Sequence, residues 1–266
     1  MNRLWSILFC FVPLAAVAAY VAAAQNAFPL SGVWLPENIS RQGQTIDYLF
    51  LLIHYLAAAI LLLTGLILAW VMWRFRDRPG ARARYITHHR RLEAAWTIIP
   101  AAILIWLSLH QLDAWAENKI RRPVSTSGNG QATPPLARVV AKQFGWEVYY
   151  PGKDGRFNTP DDVYFENQLF VPVDQDVVLE LRSRDVIHSF FVPELRLKQD
   201  IVPGSTQYLW FRILPHAEAR RFDIVCAELC GAGHYRMNGS LYPVSAEEFR
   251  RSIEQRAADR WADSNP

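Results

Sequence analysis

The chain has 266 residues, room for one large or two modest domains, and its 51% hydrophobic and 20% charged residues exclude a disordered, collagen-like or highly charged tail protein. The formal net charge of +3 sums unlike parts. Residues 74–91 carry Arg74, Arg76, Arg78, Arg82, Arg84, Arg90 and Arg91 against Asp77 alone; the rest is slightly acidic, which argues against a nucleic-acid partner.

At the N-terminus, Met-Asn-Arg is followed by an uncharged run from Leu4 to Ala24 that ends in three alanines. This order reads as a signal peptide, residues 1–24, cleaved after Ala24. The run is longer than most such segments, so an uncleaved third membrane helix is the alternative. After an outer N-terminal segment, residues 25–47, no charged residue occurs from Tyr48 to Trp73, more than the roughly 20 residues that cross a hydrocarbon core. Residues 94–112 form a second apolar run, with Pro100 inside and Trp96 and Trp115 at its ends. Residues 48–116 are therefore expected to be a transmembrane helical hairpin whose basic loop, 74–91, stays in the cytoplasm, so the remainder faces the periplasm or its equivalent. His54 in the first span reads as a neutral imidazole bonded to a neighbouring helix, although an ionisable group in a membrane can mark function. Glu93 reads first as a helix-start carboxylate.

Residues 117–136 are rich in Ser, Thr, Gly and Pro and have no hydrophobic period, so they read as a linker. From residue 137 come short runs of strand composition, closed by Pro, Gly or Asp: 138–140, 146–150, 169–172, 177–182, 207–212 and 220–225. The pattern predicts an all-β sandwich or Greek-key barrel over 137–245. A C-terminal helix and tail, 246–266, follows, with Ser245 as N-cap and Glu248 three residues on.

The chemistry concentrates in one segment, Cys226-Ala-Glu-Leu-Cys230-Gly-Ala-Gly-His234-Tyr-Arg-Met237, which sets two thiols, an imidazole and a thioether in one loop directly after a strand. A disulfide, buried small hydrophobes and a helix face are the competing readings. Gly231 and Gly233 argue against the helix and let the loop fold inward. Thiolate, imidazole and thioether are soft or borderline donors that select copper, whereas a zinc site would not be expected to include methionine. A second cysteine asks for a second metal, and the missing histidine is expected from another strand end, where His188 lies.

The stretches DVIHSFFVPELRLKQDIVPG (185–204) and CAELCGAGHYRM (226–237), with WTIIPA (96–101) in the second span, resemble subunit II of the haem–copper cytochrome c oxidases. The resemblance covers roughly residues 45–245. It implies a membrane-anchored all-β protein: a two-helix transmembrane hairpin followed by a cupredoxin-like Greek-key β-barrel holding a binuclear copper A centre. Cys226 and Cys230 would bridge both coppers, His188 and His234 would each cap one, and Met237 and the backbone carbonyl of Glu228 would be the weak ligands. The Glu228 carboxylate would help bind magnesium or manganese at the junction with subunit I, and Glu93 would lie near a proton-channel entrance. The implied function is that of the electron-receiving subunit of a proton-pumping oxidase in the bacterial inner membrane. Its partners would be the haem-bearing subunit I, other oxidase subunits, membrane lipid, and cytochrome c or a cytochrome c domain as donor. Electrons would pass to haem a for reduction of oxygen to water.

The family's exposed, electron-receiving tryptophan is matched here by Phe144, and Trp146 matches a later tryptophan that is usually more structural; both residues are expected at the electron entry. Residues 137–245 hold 14 Asp/Glu against 12 Lys/Arg, and Glu147, Asp161, Asp162, Glu166 and Asp185 are candidates to steer a basic donor. The loop 151–162 reads as a polar turn ahead of a calcium loop. The rivals are a quinol oxidase subunit, which would lack the copper ligands, the copper A subunit of another respiratory reductase, and a membrane-anchored copper-binding module.

Overall fold

The computed structural model describes residues 2–27, 29–80, 82, 85–124 and 130–264, with side chains described for all but 2, 3, 6 and 260–264. Arg84 of the basic loop, residues 125–129 of the linker and the Trp261 side chain lie outside the described residues. The chain divides into two compact units, one of residues 1–36 and 47–113, the other of residues 37–46 and 114–266.

The first unit is helical: α1 (Asn2–Ala24), most of α2 (Arg41–Arg74) and α3 (Arg90–His110). Three helices are long and apolar enough to cross a membrane. The helix α2 starts ahead of its apolar run because Ser40 caps it: the Gly43 N–H donates to Ser40 Oγ at 2.8 Å, so the polar residues 41–47 make its first turns. At the start of α3 the His89 N–H donates to Glu93 Oε1 at 2.8 Å while His89 Nδ1 accepts from the Leu92 N–H at 3.2 Å, a reciprocal cap. His54 Nδ1 lies 2.8 Å from the Phe50 carbonyl oxygen, and its ring stacks on Tyr20 at 5.7 Å, so the imidazole has a partner on its own helix and one on α1.

The second unit is built on two five-stranded sheets. Its elements are α4 (Leu112–Lys119), β1 (Ala137–Lys142), β2 (Gly145–Tyr150), β3 (Val163–Glu166), β4 (Gln168–Pro172), β5 (Asp176–Ser183), β6 (His188–Val192), β7 (Leu197–Ile201), β8 (Gln207–Arg212), β9 (Phe222–Cys226), β10 (Asn238–Val244) and α5 (Ala246–Ser264). The sheet orders are β3-β2-β1-β5-β8 and β4-β10-β9-β6-β7, with β1 parallel to β5 and β4 parallel to β10. Val139, Trp146, Leu179, Leu181 and Phe211 of one sheet and Leu169, Phe190, Ile224 and Leu241 of the other are buried in one core, the expected result of alternation on facing sheets. The expected linker begins later than its composition suggests, because residues 117–119 complete α4. In α5, Ser245 Oγ accepts the Glu248 N–H at 3.1 Å.

Four strands escaped the composition pattern. The strand β6 starts with a histidine and a serine, β7 alternates with Lys and Asp on its outer face, β10 starts Asn-Gly-Ser, and β3 has only four residues. Each is held by cross-strand pairing with a neighbour, not by an apolar run of its own.

Candidate metal centre

The strands β6 and β9 are antiparallel neighbours, with Phe190 opposite Cys226. This register brings the beginning of one and the end of the other to the same end of the sheet, so His188 and Cys226, 38 positions apart in sequence, arrive side by side. The loop then turns back: the Cys226 N–H donates to the Met237 carbonyl at 3.2 Å as β10 begins, and the Ala227 N–H donates to the Ser189 carbonyl at 3.0 Å.

Two imidazole nitrogens, one thioether sulfur and one carbonyl oxygen crowd around the two thiols. The sulfurs of Cys226 and Cys230 are 3.8 Å apart, far beyond the ~2.05 Å of a disulfide, and both thiols are free. His188 Nδ1 is 3.8 Å from the Cys226 sulfur, His234 Nδ1 is 3.7 Å from the Cys230 sulfur, and the Met237 sulfur is 3.7 Å from that of Cys230. The Glu228 carbonyl oxygen lies 3.2 Å from the Cys226 sulfur, while the Glu228 side chain is exposed. The ligand atoms of His188, Cys226 and Cys230 all fall within 4.8 Å of one another, and all three residues are buried. A soft donor set this compact fits a copper centre. Burial pushes the Cys230 thiol up to about 11, with the neighbouring Cys226 adding to the shift, so a metal must displace firmly held protons.

An outer layer orients the donors. His188 Nε2 lies 2.8 Å from Asp185 Oδ1, which leaves Nδ1 facing the sulfurs. Asp185 also accepts the Gln143 and Val186 N–H groups, each at 2.7 Å. Burial works to raise its pKa, but the His188 bond and these two backbone donors hold the carboxyl below its ordinary range. The Gln143 side-chain amide donates to the Cys230 carbonyl at 2.5 Å. Phe144 lies directly on the loop: a Cβ on Gly233 would come within 2.5 Å of its ring, and Gly231 combines a φ of +132° with a second close approach to Phe144. Asp185→Asn is expected to weaken copper retention about 10–100-fold, the usual cost of losing an outer-shell partner of a histidine ligand. Competition with a chelator measures it, and an unchanged affinity would show that the ring needs no such anchor.

Two expectations need correction. Trp146 is 0% exposed, its ring packed edge-on against Phe190 at 5.7 Å, so it cannot meet an external electron donor. Phe144, half-buried, reaches the surface beside the loop. Three of the five carboxylates expected to steer a donor are also not free surface charges. Glu147 is buried and paired with Lys142 and Arg184, Asp162 is buried, and Asp185 holds His188. Sequence reasoning missed Gln143 and the anchoring role of Asp185, although the adjacency of Asp185 to the His188 segment was a signal that could have found the latter. In the loop 151–162, Asp161 accepts the Thr159 hydroxyl at 2.7 Å and Asp154 accepts the Arg156 N–H at 2.8 Å, the bonding of a polar turn.

Comparison with known proteins converges on one family. Residues 30–113 match the profile of the cytochrome c oxidase subunit II transmembrane domain, and residues 151–244 that of the subunit II periplasmic domain. Among curated relatives, the alternative cytochrome c oxidase subunit 2 of Bradyrhizobium diazoefficiens is 28% identical, over 91% of this chain and 91% of the relative. The probable cytochrome c oxidase subunit 2 of Rickettsia bellii is 30% identical over 73% of each. Among solved structures, the periplasmic domain of subunit II of cytochrome oxidase from Bradyrhizobium japonicum is 26% identical, covering 48% of this chain and 97% of that one, with a TM-score of 0.41.

Proposed function

The chain belongs to the cytochrome c oxidase subunit II family, and from that premise we propose that its β unit holds a binuclear copper A centre that receives electrons from cytochrome c. As a member of that family it is one subunit of a haem–copper oxidase complex with subunit I, an oxidoreductase that does not turn over alone. We read the two-sheet order as the cupredoxin-like Greek key, and the β unit as lying on the periplasmic side of the bacterial inner membrane.

The observation that carries the reading is the packing of two free thiols 3.8 Å apart with an imidazole against each and a thioether against one. In this reading Cys226, Cys230, His188, His234 and Met237, with the Glu228 carbonyl, would hold the copper. Copper held there would supply a one-electron store. The chain's own part is rigidity and access. Asp185 fixes the His188 ring, Gln143 fixes the Cys230 carbonyl, and Phe144 closes the loop from outside while offering an aromatic surface to the donor. As the electron-receiving subunit, the chain would pass electrons on to the haem-bearing subunit I for reduction of oxygen to water coupled to proton pumping. The exposed Glu228 carboxylate is free to share a magnesium or manganese ion with subunit I, and Glu93 to stand near a proton-channel entrance.

Copper stoichiometry and electron paramagnetic resonance of the full chain in detergent test the proposal. Two coppers per chain, with hyperfine structure from one electron shared by two nuclei, is the expected result. A mononuclear signal or no bound copper would overturn it and favour a copper-binding module. For the surface role, Phe144→Leu in the assembled oxidase is expected to lower kcat/KM for cytochrome c by about tenfold, the size of a modest contact hot spot, at unchanged copper content. Steady-state kinetics at several ionic strengths would read it, and a variant that matches the wild type would move docking elsewhere.

A further inference from the structure

On the outer face of the sheet β3-β2-β1-β5-β8, away from the metal loop, the register lines up Tyr164, Tyr149, Arg138 and Glu180 across four neighbouring strands. Tyr164, Tyr149 and Arg138 floor a cleft of about 700 Å³, walled by the loop carrying Asn158, Thr159 and Asp162 and by Arg256 of α5. The size is that of a small-molecule site, far more than a single inorganic ion needs.

The charges in this cleft are arranged in two tiers. In the lower tier Arg138 is buried, donating from Nε to Glu180 at 2.8 Å and from Nη1 to Asn158 at 2.5 Å, with its guanidinium 4.6 Å from the centre of the Phe157 ring. Above it, Arg182 uses Nε on the same Glu180 oxygen at 2.6 Å, and Arg184 uses one terminal nitrogen on the buried Glu147 at 2.5 Å. Arg256 Nε donates to the Tyr164 carbonyl at 3.3 Å. Four guanidinium groups thus line one cleft, and Asp162 is the single carboxylate among the lining residues, already accepting the Asn158 N–H and the Thr159 hydroxyl. Glu147 and Glu180 neutralise the lower tier but lie too deep to meet a ligand; both are buried. The side chains of Arg182 and Arg184 are 46% and 58% exposed and keep terminal N–H donors beyond these bonds.

Guanidinium forks that are anchored from behind and open in front recognise oxyanions with two parallel hydrogen bonds, and little side-chain entropy is left to lose on binding. The rings of Tyr149 and Tyr164, 5.3 Å apart, add an aromatic wall that a bare ion would not use. We propose that this cleft binds a small, soluble organic phosphate, its phosphoryl oxygens on Arg182, Arg184 and Arg256 and its organic part against Tyr149 and Tyr164. Nothing in this assignment depends on the metal centre.

Calorimetric titration of the full chain in a non-ionic detergent, with ATP, inorganic phosphate and citrate as probes, tests it. The expected result is saturable one-site binding of ATP, at least about tenfold tighter than inorganic phosphate because more than one arginine is engaged. The double variant Arg182→Gln, Arg256→Gln keeps the Arg138–Glu180 pair, should retain the wild-type circular dichroism and melting temperature, and is expected to lose at least about tenfold in ATP affinity. Arg182→Gln alone gives the same reading if the double variant fails to fold. Absence of saturable ATP binding would overturn the proposal, as would unchanged affinity in a folded variant. Citrate binding tighter than ATP would make this a carboxylate site, and displacement of ATP by phosphatidylglycerol vesicles would make it a lipid head-group site; either overturns the soluble phosphate.

Discussion

Serine in place of Cys230 is expected to abolish the shared-electron copper spectrum, leaving at most one copper per chain. Oxidase turnover with reduced cytochrome c should fall by more than the about 10–100-fold that an outer-shell change costs. The reason lies in the placement of this sulfur. It stands 3.8 Å from Cys226, 3.7 Å from His234 and 3.7 Å from Met237, so it touches three of the other donors at once. A hydroxyl is a hard, high-pKa donor that binds copper poorly and cannot bridge two ions as a thiolate does. Cys230 is also 3% exposed, so no water replaces it readily. Metal analysis with paramagnetic resonance reads the first part and oxygen consumption the second. Retention of two coppers with a delocalised signal would remove Cys230 from the bridge.

The second large effect falls on stability. Trp146→Ala is expected to destabilise the β unit by about 3–5 kcal/mol, as truncating a buried aromatic does. Trp146 is wholly buried, packs against Phe190, and lies close enough to Gly239 that a Cβ there would meet its ring at 3.1 Å. Two strands of the opposite sheet, β6 and β10, therefore lean on this one side chain. Trp146→Phe should cost much less, because the indole N–H has no hydrogen-bond partner among the described residues and the change leaves no polar group stranded. Thermal unfolding of both variants in detergent, together with their cytochrome c kinetics, separates a packing role for Trp146 from a role in electron entry. If it serves packing, the alanine variant melts early while the phenylalanine variant keeps its cytochrome c kinetics. If the phenylalanine variant melts normally but loses turnover, Trp146 lies on the electron path despite its burial.

Some of this molecule is written locally. The apolar runs that became membrane-length helices are legible because a hydrocarbon solvent demands unbroken apolar length, which composition alone displays. The four donors from Cys226 to Met237 are legible for a similar reason: they sit in twelve consecutive positions, and their softness is a property of the residue types. His188 came into view only through chemical need and family resemblance, because no local feature ties it to a loop 38 positions later.

Other features depend on pairing. The strands β6, β7 and β10 carry polar residues on their outer faces and at their ends, and only neighbours on the same sheet make them strands. The helix α2 extends back to Arg41 because of one hydroxyl at Ser40, a cap whose effect is worth about 1 kcal/mol and leaves no periodic trace. Glu147, Asp162 and Asp185 looked like surface charge in the sequence, yet Glu147 and Asp185 are engaged with groups brought in by another strand or loop, and Asp162 is buried and bonded within its own loop. The sequence by itself determined the membrane-length helices, the β character of the C-terminal unit and the cluster of soft side chains from Cys226 to Met237, since these follow from composition and residue chemistry over short windows. Tertiary structure alone decided that Asp185 anchors His188, that Trp146 is core and Phe144 surface, and that four arginines share one cleft, because sheet register, which no single strand encodes, fixes which side chains face each other across the fold.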